Sequence, residues 1–294
     1  MEEMYDIVII GSGPAGLEAA VTATIRNKKI LVLGSKELSP KLQAVDHPIM
    51  NYLGLPSMTG KEMVKIFQSQ IESLGITVTE KRVTTVYAMP EFYTLQLDDT
   101  SMVNTKTVIL ATGVAAGNPY VNEEKFLGRG VSYCATCDAP IYKGKKVIVI
   151  ADSPKEEEEV EFLTEVCQKV TYFPLYKEEV AVQKDNLSIV KDIPVSIEGT
   201  LKANTLVTKQ GTYTADGIFI LRQSQFPSSL VPGLETQGNR VVVNLDMETN
   251  LPGLYAAGDL TGQPYQYIKA AGQGNVAALS AVEYLAKNKE KKVE

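Results

Sequence analysis

The chain has 294 residues, 44% hydrophobic and 22% charged, an ordinary globular composition with room for about two domains. Its net charge of −6 argues against a nucleic-acid partner, which wants a clustered basic face. No apolar run approaches the roughly 20 residues of a membrane span. The acidic start runs straight into a strand and does not read as a signal peptide, so a cytoplasmic protein is expected.

In chain order, residues 5–10 (YDIVII) read as a strand ended by glycines, 14–27 as a helix and 29–34 (KILVLG) as a second strand. Short strands follow over 81–111, ending in TVILATG. A second strand–turn–helix–strand unit is predicted from 145–151 (KKVIVIA), 154–168 and 169–174. From about residue 238 come the strands RVVVN and GLYAAGD, then a helix from about residue 271 trailing into the charged KNKEKKVE. Two similar α/β units imply two Rossmann-like, three-layer nucleotide folds.

The first unit carries Gly11-Ser12-Gly13-Pro14-Ala15-Gly16 between strand and helix, the context a dinucleotide fingerprint requires. Gly11 permits the tight turn, Gly13 lets backbone approach a pyrophosphate, and Gly16 allows close helix–strand packing. The pyrophosphate would lie on free N–H groups at the positive helix end. The acidic residue expected about 20 positions on is not evident. The second strand ends Leu33-Gly34-Ser35, and Ser35 is the substitute candidate for the adenosine ribose.

Three cysteines are present, Cys134 and Cys137 as a C-x-x-C pair and Cys167 apart. The spacing lets two thiols close and reopen a small disulfide ring, and the adjacent Asp138 can handle the proton. A zinc site needs four ligands. Only Cys167 and His47 remain, neither in a second ligand pair, so no metal is expected. Cys167, among apolar residues, reads as a core thiol.

GSGPAG at 11–16, ATG at 111–113, GVSYCATCD at 130–138 and AAGD at 256–259 resemble the low-molecular-weight thioredoxin reductases, in order and over nearly the whole chain. The resemblance implies FAD in a discontinuous domain, residues 1–115 and 238–294, and an inserted central redox domain, residues 116–237. It implies a homodimer with thioredoxin as substrate. Carried over by motif, Gly11, Ser12, Gly13, Ala15 and Gly16 would contact the FAD phosphates. Asn51, Thr112, Gly113, Asp259 and Gln266 would lie against the rest of the cofactor, although Leu53 replaces the family's proline after Asn51. Cys137 would face the flavin, Cys134 would attack thioredoxin, and Asp138 would be the acid–base group.

In that family the second unit carries Gly-x-Gly-x-x-Ala and then His-Arg-Arg for NADPH. Here the run is Ile150-Ala151-Asp152-Ser153-Pro154-Lys155-Glu156, with all three motif positions changed, and Thr171–Lys177 holds no arginine pair. Ser153 as N-cap, Pro154 at the first helical position and Glu156 as capping acid form a self-satisfied helix start. Glu156 to Glu159 further complement the positive helix end, so NADPH is not expected. The pattern looks like the ferredoxin-dependent flavin thioredoxin reductases. Plant-type ferredoxins at about −400 mV against thioredoxin near about −270 mV leave roughly 6 kcal/mol for two electrons. Lys143, Lys145 and Lys146 are one candidate patch for an acidic ferredoxin. Three alternatives stay open: an NADPH-dependent reductase with an atypical nucleotide site, a diflavin-linked disulfide oxidoreductase, and a non-catalytic flavin redox sensor.

Overall fold

The computed structural model describes residues 4–114, 119–222 and 226–290. The chain divides into two compact units, one of Met1–Leu97, Ser101–Ala115 and Leu230–Glu294, the other of Asp98–Thr100 and Ala116–Ser229. Both are α/β folds built on parallel sheets.

In the first unit the strand Met4–Ile10 is central because Ile7, Val8, Ile9 and Ile10 are buried and β-branched or apolar on both faces. It pairs in parallel with Ile30–Leu33 on one side and Met102–Leu110 on the other. Val78–Thr79 extends the first edge, and the antiparallel strands Tyr93–Leu97 and Val83–Ala88 extend the second. Leu254–Ala256 pairs in parallel with the end of Met102–Leu110, bringing the C-terminal segment into the same sheet. Helix Pro14–Ile25 packs under the C-terminal helix Tyr267–Glu290 through small residues.

That last helix begins at Tyr267, not at 271 as expected. Gly272 and Gly274 both lie inside it, despite the low helix propensity of glycine. A Cβ on Gly274 would stand 2.0 Å from the Ala15 carbonyl oxygen, so the crossing of the two helices demands glycine and offsets its poor propensity. A second departure concerns residues 230–237, which the sequence reading assigned to the central domain. Leu230, Val231 and Leu234 pack with Val8, Ile10 and Leu254 in the first unit's core.

The second unit holds a five-stranded parallel sheet ordered Leu187–Ile189, Lys169–Pro174, Lys146–Ala151, Gly217–Leu221, Val131–Ser132. A three-stranded antiparallel sheet, Pro194–Gly199, Ala203–Thr208 and Thr212–Thr214, completes it. The helix expected over 154–168 opens as a 3-10 turn, Pro154–Glu156, and is α-helical over Glu157–Val166. Cys167 therefore sits just past its end and is buried. Among the described residues no helix is long and apolar enough to cross a membrane.

Candidate active site

The first glycine loop is fixed by two close approaches. Gly11 has φ +121°, and a Cβ there would stand 2.2 Å from the Ala111 carbonyl oxygen. A Cβ on Gly16 would stand 1.9 Å from the Gly11 carbonyl oxygen. Gly13 is different: a Cβ there would meet nothing nearer than Ser39 Oγ at 3.8 Å. It is the N-cap of Pro14–Ile25, with no side-chain cap and no acidic residue in the first turn. The helix therefore presents its free N–H groups and positive end to an open surface. Buried Ser12 donates from Oγ to the Ser35 carbonyl at 2.8 Å and ties the loop to the end of the next strand. Ser35 Oγ accepts from the Glu37 N–H at 3.2 Å.

The remaining candidates of this unit lie on three further segments. Thr112 and Gly113 follow strand Met102–Leu110, and Gly113 is left-handed with open space where a Cβ would point. Asn51 Nδ2 donates to Gln266 Oε1 at 2.6 Å, so two amides 215 residues apart are directly paired. Asp259 lies in the turn Gly258–Thr261. Burial pushes its carboxyl above the ordinary range, with Lys269 and Lys41 pulling the other way. Lys269, which the sequence reading did not single out, donates from Nζ to the Gly258 and Gly262 carbonyls at 2.9 and 2.7 Å and to Thr261 Oγ1 at 3.3 Å. Burial pulls the pKa of its ammonium below the ordinary lysine range, and Asp259 opposes that. Gln273 Oε1 accepts from the Gly258 N–H and the Thr261 hydroxyl, completing the support of this turn. Tyr265 is exposed, while Tyr267 is half-buried against the core.

In the second unit Cys134 and Cys137 form a disulfide with Cα atoms 5.3 Å apart. Cys134 is the N-cap of the short redox helix Ala135–Asp138, and its Sγ accepts from the Cys137 N–H at 3.1 Å. Ser132 Oγ accepts from the Cys134 N–H and donates to the Cys134 carbonyl, fixing the entry of the segment. Glu159 Oε2 accepts from the Ala135 N–H at 3.0 Å. Asp138 is half-buried at the end of the redox helix. Burial, and after it Asp138, raise the Tyr142 hydroxyl above its usual range. The remote Cys167 is buried, which pushes its thiol up to about 11 and keeps it out of thiolate chemistry near neutral pH. Among the described residues no cluster of His, Cys, Asp and Glu could hold a metal ion.

The second strand–turn–helix start is filled by its own side chains. Ser153 Oγ accepts from the Lys155 N–H at 3.3 Å, and Pro154 opens the turn. Three glutamates, Glu157, Glu158 and Glu159, occupy the first helical turn. Sequence reasoning set them against their own helix end, but two of them point elsewhere. Buried Glu157 accepts from the Tyr176 hydroxyl and from the N–H groups of Ala181 and Val182 at 2.9 and 3.3 Å. Glu159 reaches the redox helix. The physical reason is that an exposed helix end can be solvated by water, whereas the buried Val182 N–H cannot.

Ligands of open α/β sheets bind where the strands' carboxyl ends diverge. Here that crevice lies between Lys146–Ala151 and Gly217–Leu221. Arg222 follows directly and makes a bidentate, buried ion pair with Glu123. Its guanidinium lies over the Tyr120 and Phe226 rings, 5.1 and 4.9 Å from their centroids. Tyr133 donates its hydroxyl to Glu123 Oε1 at 2.8 Å, and burial raises that hydroxyl far above its ordinary range. The void lined by Tyr133, Ile220, Arg222 and Phe226 leaves no room for a water molecule. Only one signal in the sequence could have pointed here, an arginine ending the apolar run GIFIL.

An open dinucleotide cradle in one unit and a C-x-x-C disulfide in the other define a nucleotide-fold disulfide oxidoreductase. Residues 5–151 match the family profile "Pyridine nucleotide-disulphide oxidoreductase", and the chain belongs to that family. Within it the chain is of the thioredoxin reductase type. It is 33% identical to a thioredoxin reductase of Aquifex aeolicus over 98% of this chain and 95% of that one. A ferredoxin-flavin thioredoxin reductase of Clostridium acetobutylicum has 44% identity and a TM-score of 0.87, covering 98% of this chain and 99% of the other. A thioredoxin reductase of Gloeobacter violaceus superposes with a TM-score of 0.75 at 26% identity, covering 97% and 95%.

Family membership implies FAD. The first unit fits it: the Gly13 surface is open to a phosphate, the half-buried Asp259 lies in a turn whose carbonyls Lys269 holds, and the Asn51 amide is paired with Gln266.

Proposed function

We propose that the chain is a ferredoxin-dependent disulfide reductase, in which electrons from reduced ferredoxin pass by way of FAD and Cys134–Cys137 to thioredoxin, without NADPH. The observation that carries this reading is the engagement of Glu157. A carboxylate in the first helical turn, bonded to two backbone N–H groups and a tyrosine hydroxyl, leaves a negative charge where a nucleotide pyrophosphate would need a positive helix end. The Arg222–Glu123 pair fills the neighbouring crevice, and the similarity to the Clostridium acetobutylicum reductase supports the same donor.

When bound, FAD supplies the exchange between one-electron donors and two-electron disulfide chemistry. Gly11, Ser12, Gly13, Ala15 and Gly16 would hold its phosphates, Ser35 its adenosine side, Asp259 its ribityl hydroxyls, and Asn51, Thr112, Gly113 and Gln266 its flavin end. In this reading Cys137 would serve as the thiol that exchanges electrons with the cofactor and Cys134 as the one that attacks the thioredoxin disulfide. The Cys137 N–H directed at Cys134 Sγ stabilises charge on that sulfur, and Asp138 takes and returns the proton. Two chains form the working dimer, in the cytoplasm.

The test is a comparison of donors on one anaerobic sample. Reduced ferredoxin bleaches the flavin absorbance and, with thioredoxin present, generates several equivalents of thiol per chain. NADPH leaves the flavin oxidised over the same period. Rapid bleaching by NADPH would overturn the reading.

A further inference from the structure

The two described elements packed most closely on the redox helix, Ala139–Tyr142 and Glu157–Val166, hold no lysine, arginine or histidine. The turn Ala139–Tyr142 contributes Tyr142 as its only titratable side chain. Helix Glu157–Val166 contributes glutamates alone. Of these, Glu157 is turned to the 181–182 backbone, Glu158 and Glu165 are exposed, and Glu161 pairs with Lys184 at 2.8 Å. Glu159 Oε2 accepts at 3.0 Å from the N–H of Ala135, the residue after Cys134. On the redox helix itself the charged group is Asp138.

A cysteine at a helix start is ordinarily acidified, because backbone N–H groups and the helix dipole stabilise its thiolate. At Cys134 one such N–H, from Cys137, is directed at sulfur, but the next one available is taken by a carboxylate. We infer that Glu159 is a positioning residue for disulfide exchange, one that holds the Ala135 N–H and sets a negative potential against which Cys134 must ionise. This role rests on the thioredoxin-reducing reading above. In the exchange, the Cys134 thiolate forms a bond to one sulfur of the partner disulfide, whose other sulfur leaves with the electron pair and takes a proton. Cys137 then closes the Cys134–Cys137 bond and expels the reduced partner. A thiolate made costlier by Glu159 makes the dithiol a stronger reductant, since the potential of such a pair falls when its reduced form is destabilised.

The decisive measurement is the pH dependence of Cys134 alkylation by iodoacetamide in FAD-loaded Cys137→Ser, with adduct formation read on the Cys134 peptide. Cys167, with its thiol pushed up to about 11, reacts separately and is resolved by mass. Glu159→Gln keeps an acceptor for the Ala135 N–H and removes the charge, whereas Glu159→Ala removes both. Both variants are expected to lower the midpoint by about 0.5–1 pH unit. In the otherwise intact chain, Glu159→Gln is expected to shift the equilibrium with thioredoxin toward enzyme dithiol. An unchanged midpoint in Glu159→Gln overturns the assignment, and so does a shift confined to Glu159→Ala, which would make the residue a cap and nothing more. Neither readout involves ferredoxin or NADPH, so a failure here and a failure of the donor comparison are told apart.

Discussion

Two helices of this chain start from the same place in the same fold and meet the solvent in opposite ways. Pro14–Ile25 begins at a bare Gly13, without side-chain cap or acidic first turn. Pro154–Glu156 and Glu157–Val166 begin with a serine cap, a proline and three glutamates. The strands before them are alike, both central, parallel and buried. What separates a nucleotide cradle from a structural turn is therefore not the strand–turn–helix plan. It is whether the helix's N–H groups and positive end are left unsatisfied.

The largest effect should come from closing the open end. In Gly16→Val the side chain would be driven into the Gly11 carbonyl, and the loop could not keep its shape. The purified variant is expected to carry almost no flavin, measured as flavin absorbance per chain. Stoichiometric flavin would show that loop geometry is not what distinguishes the first start from the second.

A smaller effect should follow from weakening the filled end. Glu157→Gln keeps the shape but removes the charge that a tyrosine hydroxyl and two backbone N–H groups share. The expected loss is about 1–3 kcal/mol in urea unfolding of the second unit. A loss within error would mean those donors are satisfied without the carboxylate.

The smallest effect concerns Asp259 and carries a sign. Its carboxyl is raised by burial, so between the unfolded and folded values the native state holds the extra proton. Stability of the FAD-free chain is accordingly lost as pH rises through that window. Asp259→Asn should melt higher than the parent at pH 7 without cofactor, the difference shrinking toward pH of about 4. A difference independent of pH would detach the effect from ionisation.

The two starts were also unequally legible. Gly11 and Gly16 speak locally, since a turn of positive φ and two close backbone contacts leave glycine as the workable residue. The cysteine pair speaks locally too, through its three-residue spacing. The changed second loop could be recognised as unfit for phosphate, but not what its glutamates do. Tyr176 and the 181–182 backbone are reached through tertiary contacts that no periodicity encodes. The same holds for Glu123 with Arg222, 99 residues apart, and for Asn51 with Gln266. The last helix starts earlier than the sequence placed it, and the need for glycine at 274 within it comes from the crossing helix rather than from local propensity.

The grip of Glu157 on the 181–182 segment also makes the second unit hard to convert. Installing glycines at 151 and 153 would reopen the turn but leave the carboxylate in place. Removing the carboxylate would leave two amide hydrogens and a phenol without their acceptor. Either change made alone gives up stability without creating a cradle, so the route to a nucleotide site here runs through a valley that several substitutions must cross together.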